Sequence, residues 1–101
     1  MIHFGEHIRT LREKRKLLLR ELAANLNMDV AYLSKIERGN RMARREQVVA
    51  FAKELNEDEN QLLNMWKAEQ IVDLVKDEKD STEILKIAKQ KISSLTKKSK
   101  K

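Results

Sequence analysis

The chain has 101 residues, no cysteine and no proline, a length that holds one domain plus an appendage and a composition that excludes disulfide scaffolds, thiol nucleophiles and thiolate metal sites. No stretch approaches the ~18 consecutive apolar residues of a membrane span, and no basic start followed by an apolar run stands near Met1, so the sequence reads as soluble and intracellular. The net charge of +6 is segregated, with 11 basic against 6 acidic side chains in residues 1–50, 4 against 9 in 51–80 and 7 against 1 in 81–101, a pattern that suits a polyanion-facing surface, a solvated or partner-facing segment and a basic tail.

Glycine occurs only at Gly5 and Gly39 and the remainder is rich in strong helix formers, so the expected fold is all-α. Phe4, Ile8 and Leu11 fall at helical spacing and predict a first amphipathic helix over 4–15, decorated by Arg9, Arg12, Lys14 and Arg15. A second helix over 19–26 turns Leu22, Ala23 and Leu26 inward and stops at Asn27, a residue that tolerates the left-handed conformation of a helix stop. Asp29 stands where an N-cap belongs, Leu33 and Ile36 give a third helix its inner side, and Gly39 ends it.

The spacing predicts a fourth helix over 44–55 that buries Val48, Val49, Phe51, Ala52 and Leu55. Asp58 followed by Gln61 reads as a capping box for a fifth helix, which starts near Glu59 and meets no breaker before about Lys76. The charged run 76–80 is the hinge. Beyond it, Asp80 or Ser81 caps a last helix over 82–95 whose Ile84, Ile87, Ala88, Ile92 and Leu95 form one stripe. That stripe either folds back on the fifth helix or meets a partner, and the lysine-rich tail 97–101 reads as disordered.

Helix 2, a turn at Asn27 and Met28, and a polar-faced helix 3 have the spacing of a helix-turn-helix over 19–38, in which the second helix lies in the major groove and the first braces it. Ala23 stands where only a small side chain lets the two helices approach, and Val30, Ala31, Tyr32, Ser34, Lys35 and Arg38 face outward. The run FGEHIRTLREKRKLLLRELAANLNMDVAYLSKIERGNR, continuing into QVVAFAKELNEDENQLL, resembles the phage-repressor-like, or XRE, helix-turn-helix family over about residues 4–66. The resemblance implies a five-helix DNA-binding domain over 1–66 and a homodimer on a near-palindromic operator, acting in transcriptional regulation in a bacterial cytoplasm. Restriction-modification controllers are similar in size. Residues 67–96 are then a helical extension for dimerisation or partner binding.

Residue roles follow from the same resemblance. Arg12 and Glu37 match an ion pair that locks helix 1 to the end of helix 3. Val30, Ala31, Tyr32 and Lys35 match base-reading positions in a recognition helix over 29–38, and Arg38, Asn40 and Arg41 match positions near phosphates, with Arg44 and Arg45 extending the clamp. The implied dimer surface uses Phe51, Leu55, Leu62, Leu63 and Trp66, enlarged by Ile84, Ile87 and Ile92. The sequence departs from the family where Lys16 and Asn27 replace glycines, where Ala43 replaces a proline, and where Leu18 and Leu19 replace a capping hydroxyl and a phosphate-bonding glutamine. Arg20 is the substitute for that lost contact, and Leu18 or Leu19 joins either the core or an exposed patch.

Val30 and Ala31 can pack on thymine methyl groups, whereas Lys35 or Arg38 can reach guanine O6 and N7. Tyr32 either bonds a phosphate or base edge or covers the turn. His3 and His7 have the i, i+4 spacing of metal ligands, but no third ligand clusters with them, and no phosphate loop or nucleophile arrangement exists, so the sequence calls for no enzyme activity, cofactor or metal. The leading expectation is a sequence-specific regulator on double-stranded DNA. The alternative is an antitoxin-like protein whose C-terminal helices bind a second protein while it represses its own promoter.

Overall fold

The computed structural model describes residues 2–99, with side chains through Thr96. Among the described residues it contains six α-helices and no strand: α1 (Phe4–Lys14), α2 (Leu19–Asn25), α3 (Val30–Glu37), α4 (Arg45–Glu54), α5 (Glu59–Val75) and α6 (Ser81–Ser99). The fold is all-α, as a proline-free chain of helix formers requires. The first five helices fall within one residue of their expected bounds. The sixth continues as helical backbone through Ser99, into the stretch read from sequence as a disordered tail, and Lys100 and Lys101 lie outside the described residues.

Four successive helices end in the same way. After α1, Lys16 N donates to the Glu13 carbonyl and Leu17 N to the Arg12 carbonyl; after α2, Asn27 N donates to Ala24 and Met28 N to Ala23. Gly39 and Asn40 close α3 on Ile36 and Lys35, and Asn56 and Glu57 close α4 on Lys53 and Ala52. This paired pattern satisfies the orphan carbonyls of a helix end and needs a left-handed residue at its pivot. The pivots are Lys16 (φ 58°), Asn27 (φ 52°), Gly39 (φ 82°) and Asn56 (φ 54°). Only one is glycine, so three of the four turns carry a steric cost on the order of 1–2 kcal/mol, which Asn lessens and Lys does not.

The chain divides into two compact units, Met1–Glu69 and Gln70–Lys101, with α5 crossing the division. In the first unit Ile8, Leu22, Leu33, Val48, Phe51 and Leu55 are completely buried, joined by Ile36 and Leu62. Each such side chain contributes roughly 1.5–3 kcal/mol through burial. Phe4 and Phe51 meet edge to face with ring centroids 6.5 Å apart. Leu17, Leu19, Leu26, Met28, Tyr32 and Leu63 pack around this core half-buried, whereas Leu18 stays exposed.

This packing corrects the dimer surface expected from sequence. Phe51, Leu55 and Leu62 have no surface left to offer a second chain, and Trp66 is 8% exposed with its indole N–H donating to the Ala43 carbonyl at 2.8 Å. The apolar faces of α4 and α5 are what close the domain's own core over α1 and α3, so helical periodicity alone could not assign them to a partner. Ala43 is itself buried and supplies the carbonyl that holds Trp66.

In the second unit the apolar residues are spread over surface. Ile71 and Val72 keep 43% and 49% of their area exposed and Leu74 keeps 78%, while every α6 residue from Thr82 to Thr96 is exposed, Ile84, Ile87 and Ile92 among them.

Candidate nucleic-acid interface

The short helix α3 begins at Asp29, whose Oδ1 accepts from the backbone N–H groups of Ala31 at 2.7 Å and Tyr32 at 3.2 Å. An Asp cap of this kind stabilises a helix start by about 1 kcal/mol, and the negative charge suits the helix dipole. Periodicity then sorts the side chains. Leu33, Ile36 and Glu37 are buried, whereas Val30, Ala31, Lys35 and Arg38 are exposed and Ser34 is half-buried on the same face. Arg38 Nε donates to the Ser34 carbonyl at 3.3 Å, which lays the guanidinium along the helix end.

What sets α3 in place lies behind it. Gly5 sits so close to the Ile36 carbonyl that a methyl group there would collide with backbone, and Ala23 on α2 is 1% exposed. Arg12 and Glu37 form a two-pronged pair, with Nε donating to Oε2 at 2.8 Å and Nη2 to Oε1 at 3.1 Å, both side chains being buried. The remaining prong, Nη1, donates to the Leu17 carbonyl at 2.8 Å. One guanidinium therefore ties α1, the turn before α2 and the end of α3 together. The hydrogen bonds that Arg12 donates to Glu37 raise the Arg12 pKa above its ordinary value despite the opposing effect of burial. A buried pair of this geometry is costly to break from one side, at about 3–5 kcal/mol, although it is a weak source of net stability.

Tyr32 departs from the exposed face of α3. It stands two residues from Val30 on the side leading to Ile36, and its hydroxyl donates to Gln47 Oε1 at 3.1 Å, with its ring half-buried against the core. Gln47 Oε1 also accepts from Arg44 N at 2.8 Å, so it caps α4 and holds the tyrosine at once. The Arg41 guanidinium lies 5.5 Å from the Tyr32 ring centroid, a cation–π contact. Tyr32, Arg41, Met42, Arg44 and Gln47 line one open groove between the start of α3 and the start of α4.

The other expected contact residues are distributed around these two features. Asn40 and Arg41 are exposed in the turn after α3, Arg44 is the exposed N-cap of α4 with Nε 3.2 Å from Glu46, and Arg20 is exposed on α2. Arg45 instead lies over the Trp66 ring at 5.5 Å, and Lys67 lies over the same ring at 4.8 Å. At the start of α2, Leu18 has no capping side chain, and Glu21 Oε1 accepts from Leu18 N at 2.7 Å in its stead. Ile84, Ile87 and Ile92 belong to the second unit.

Sequence reasoning passed over three residues that hold the interface steady. His3, whose spacing to His7 was set aside as a metal site, caps α1 by accepting from Glu6 N at Nδ1, and its ring lies against Gly39. Gly5 was visible only as a rare glycine. Glu69 Oε1 accepts from Phe4 N at 2.9 Å, a bond across 65 residues for which no local signal exists. Among the described residues no group of three or more His, Asp and Glu side chains is placed to hold a metal, and no helix is long and apolar enough to cross a membrane.

A family model described as a helix-turn-helix domain matches residues 3–64. No curated protein and no solved structure matches the chain.

Proposed function

The chain belongs to the helix-turn-helix domain family, and on that premise we propose that it is a sequence-specific transcriptional regulator of the XRE type that places α3 in the major groove of a near-palindromic operator and binds as a homodimer. The observation that carries this reading is the division of α3: one face is locked by Leu33, Ile36 and the Arg12–Glu37 pair, and the other offers Val30, Ala31, Lys35 and Arg38 on a rigid backbone.

The chemistry of the exposed face sets what it reads. Val30 and Ala31 pack on thymine methyl groups, and Lys35 and Arg38 are the donors for guanine O6 and N7. Arg20, Arg41 and Arg44 neutralise phosphates and the Asn40 amide donates a hydrogen bond to one, which positions the helix without carrying sequence information. Tyr32 acts from behind by supporting Arg41 and Gln47, and Ser34 lies at the margin of the contact. With so few hydrogen-bonding readers, DNA shape supplies part of the specificity.

The test is selection of a preferred duplex from a random pool, followed by titration with Lys35→Ala, Arg38→Ala and Arg41→Ala. The first two weaken binding about tenfold to a hundredfold and relax base preference, while the third weakens all sequences alike and reduces the salt dependence. A preferred duplex whose affinity is unchanged by Lys35→Ala and Arg38→Ala together refutes groove reading by α3. An antitoxin-like role is a second reading, favoured by the exposed apolar residues of α6; it requires a second protein that coelutes with the chain and shields that helix from protease.

A further inference from the structure

The second unit has two surfaces that share one unusual property: each exposes large apolar side chains, and the two carry opposite charge. Over residues 70–80 the exposed Ile71, Val72 and Leu74 accompany four carboxylates, Asp73, Asp77, Glu78 and Asp80, against two lysines. Over α6 the exposed Ile84, Leu85, Ile87, Ile92 and Leu95 accompany five lysines against the single Glu83. At 100° per residue Ile84, Leu85, Ala88, Ile92 and Leu95 fall in one uncharged arc, with Lys91 along one border and Lys89 along the other.

Helices in proteins take most of their stability from packing of an amphipathic face, so α6 draws stability from whatever covers its apolar arc. Another α6 is a poor occupant, because lysines would then face lysines along both borders. The acidic segment 70–80 is the fitting one, and within one chain its Ile71, Val72 and Leu74 stay exposed. We propose that the second unit pairs with the second unit of another copy, the basic α6 of each chain lying on the acidic 70–80 segment of its partner. A two-fold arrangement satisfies this automatically, since each copy offers both halves of a self-complementary contact.

The available area agrees. Seven large apolar side chains, Ile71, Val72, Leu74, Ile84, Leu85, Ile92 and Leu95, keep between 37% and 78% of their surface exposed, and together with the lysine stems they offer an area on the order of the ~800 Å² per partner of a standard interface. This proposal rests on the homodimeric reading above and supplies its surface, replacing the α4 and α5 side chains that the core has consumed.

Charge reversal in the full chain tests it, with sedimentation run in the absence of DNA and far-UV circular dichroism checking that each variant is folded. The unaltered chain sediments as a dimer at micromolar concentration. Reversing Lys86→Glu, Lys89→Glu and Lys91→Glu, or alternatively Asp73→Lys, Asp77→Lys and Glu78→Lys, weakens self-association at least tenfold. Mixing the two reversed chains gives a one-to-one heterodimer, and combining all six changes in one chain returns the homodimer. If α6 paired with α6, the carboxylate-reversed chain would dimerise as before, and that result overturns the proposal. So does a monomeric unaltered chain, the outcome expected if a different acidic protein occupies the stripe. Failure here leaves groove reading by α3 intact, and loss of groove reading leaves the dimer intact, because the two are measured on separate residues and without a common ligand.

Discussion

Residues 2–69 and residues 70–96 are alike in helix content and unlike in where their apolar side chains go. In the first, Ile8, Leu22, Leu33, Val48, Phe51 and Leu55 are sealed from water; in the second, Leu74 keeps 78% of its surface and Ile92 keeps 62%. The difference is not one of composition, since both stretches supply Ile, Leu and Val at helical spacing. It is one of closure: α1 to α5 cross one another and bury a common centre, whereas the apolar arc of α6 is left to the surroundings. Amphipathicity announces that a face will be covered and is silent about what covers it.

Substitutions probe that contrast, and Trp66, the only tryptophan in the chain, reports the closed region through its emission while far-UV circular dichroism reports both. The largest expected effect is Glu37→Ala, which leaves the buried Arg12 unpaired and costs about 3–5 kcal/mol in urea unfolding followed at Trp66. The pair Arg12→Leu with Glu37→Leu recovers most of that loss; no recovery would mean that the bond from Arg12 to the Leu17 carbonyl matters more than the pair itself. Next comes Gly5→Ala, which drives a methyl into the Ile36 carbonyl. The shift of α1 away from α3 costs about 1–3 kcal/mol, and the same measurement detects it.

A smaller change has the opposite sign. Lys16→Gly relieves the positive φ at the pivot after α1 and raises stability by about 1 kcal/mol, read as a higher urea midpoint at constant slope. The smallest stability effect belongs to the open region. Ile92→Ser, at an exposed position, moves the Trp66 midpoint by no more than about 0.5 kcal/mol at a concentration where the chain is monomeric. A large shift in that midpoint would show that the two regions unfold as one and would dissolve the contrast drawn above.

Much of this was legible in the residues. The absence of proline and the scarcity of glycine foretold helices, and Asp29 and Gly39 marked the bounds of α3 through familiar local chemistry. The Arg12–Glu37 pair came instead from the family resemblance. The misreading of Phe51, Leu55, Leu62 and Trp66 as dimer surface has a definite cause: the period of α4 and α5 is the same whether the facing element is α1 of the same chain or a helix of another. Tyr32 was read as both base contact and core cover, and its register favours the second, since it falls on the Ile36 side of α3. Glu69 was invisible because its partner, Phe4 N, is a backbone group with no side-chain signature.

The Glu69 bond also redraws where the working domain stops. Head and tail of the first unit are fastened to each other, with the first amide of α1 gripped by a carboxylate near the far end of α5. A fragment cut at residue 64, where the family match finishes, would shed both that clasp and Trp66. The Ala43 carbonyl would lose its donor and the opening turn of α1 its anchor, so Gly5, pressed on the back of α3, would lose its seat. The minimal helix-turn-helix domain in this chain is therefore longer than its motif, by the stretch of α5 that reaches back to the beginning.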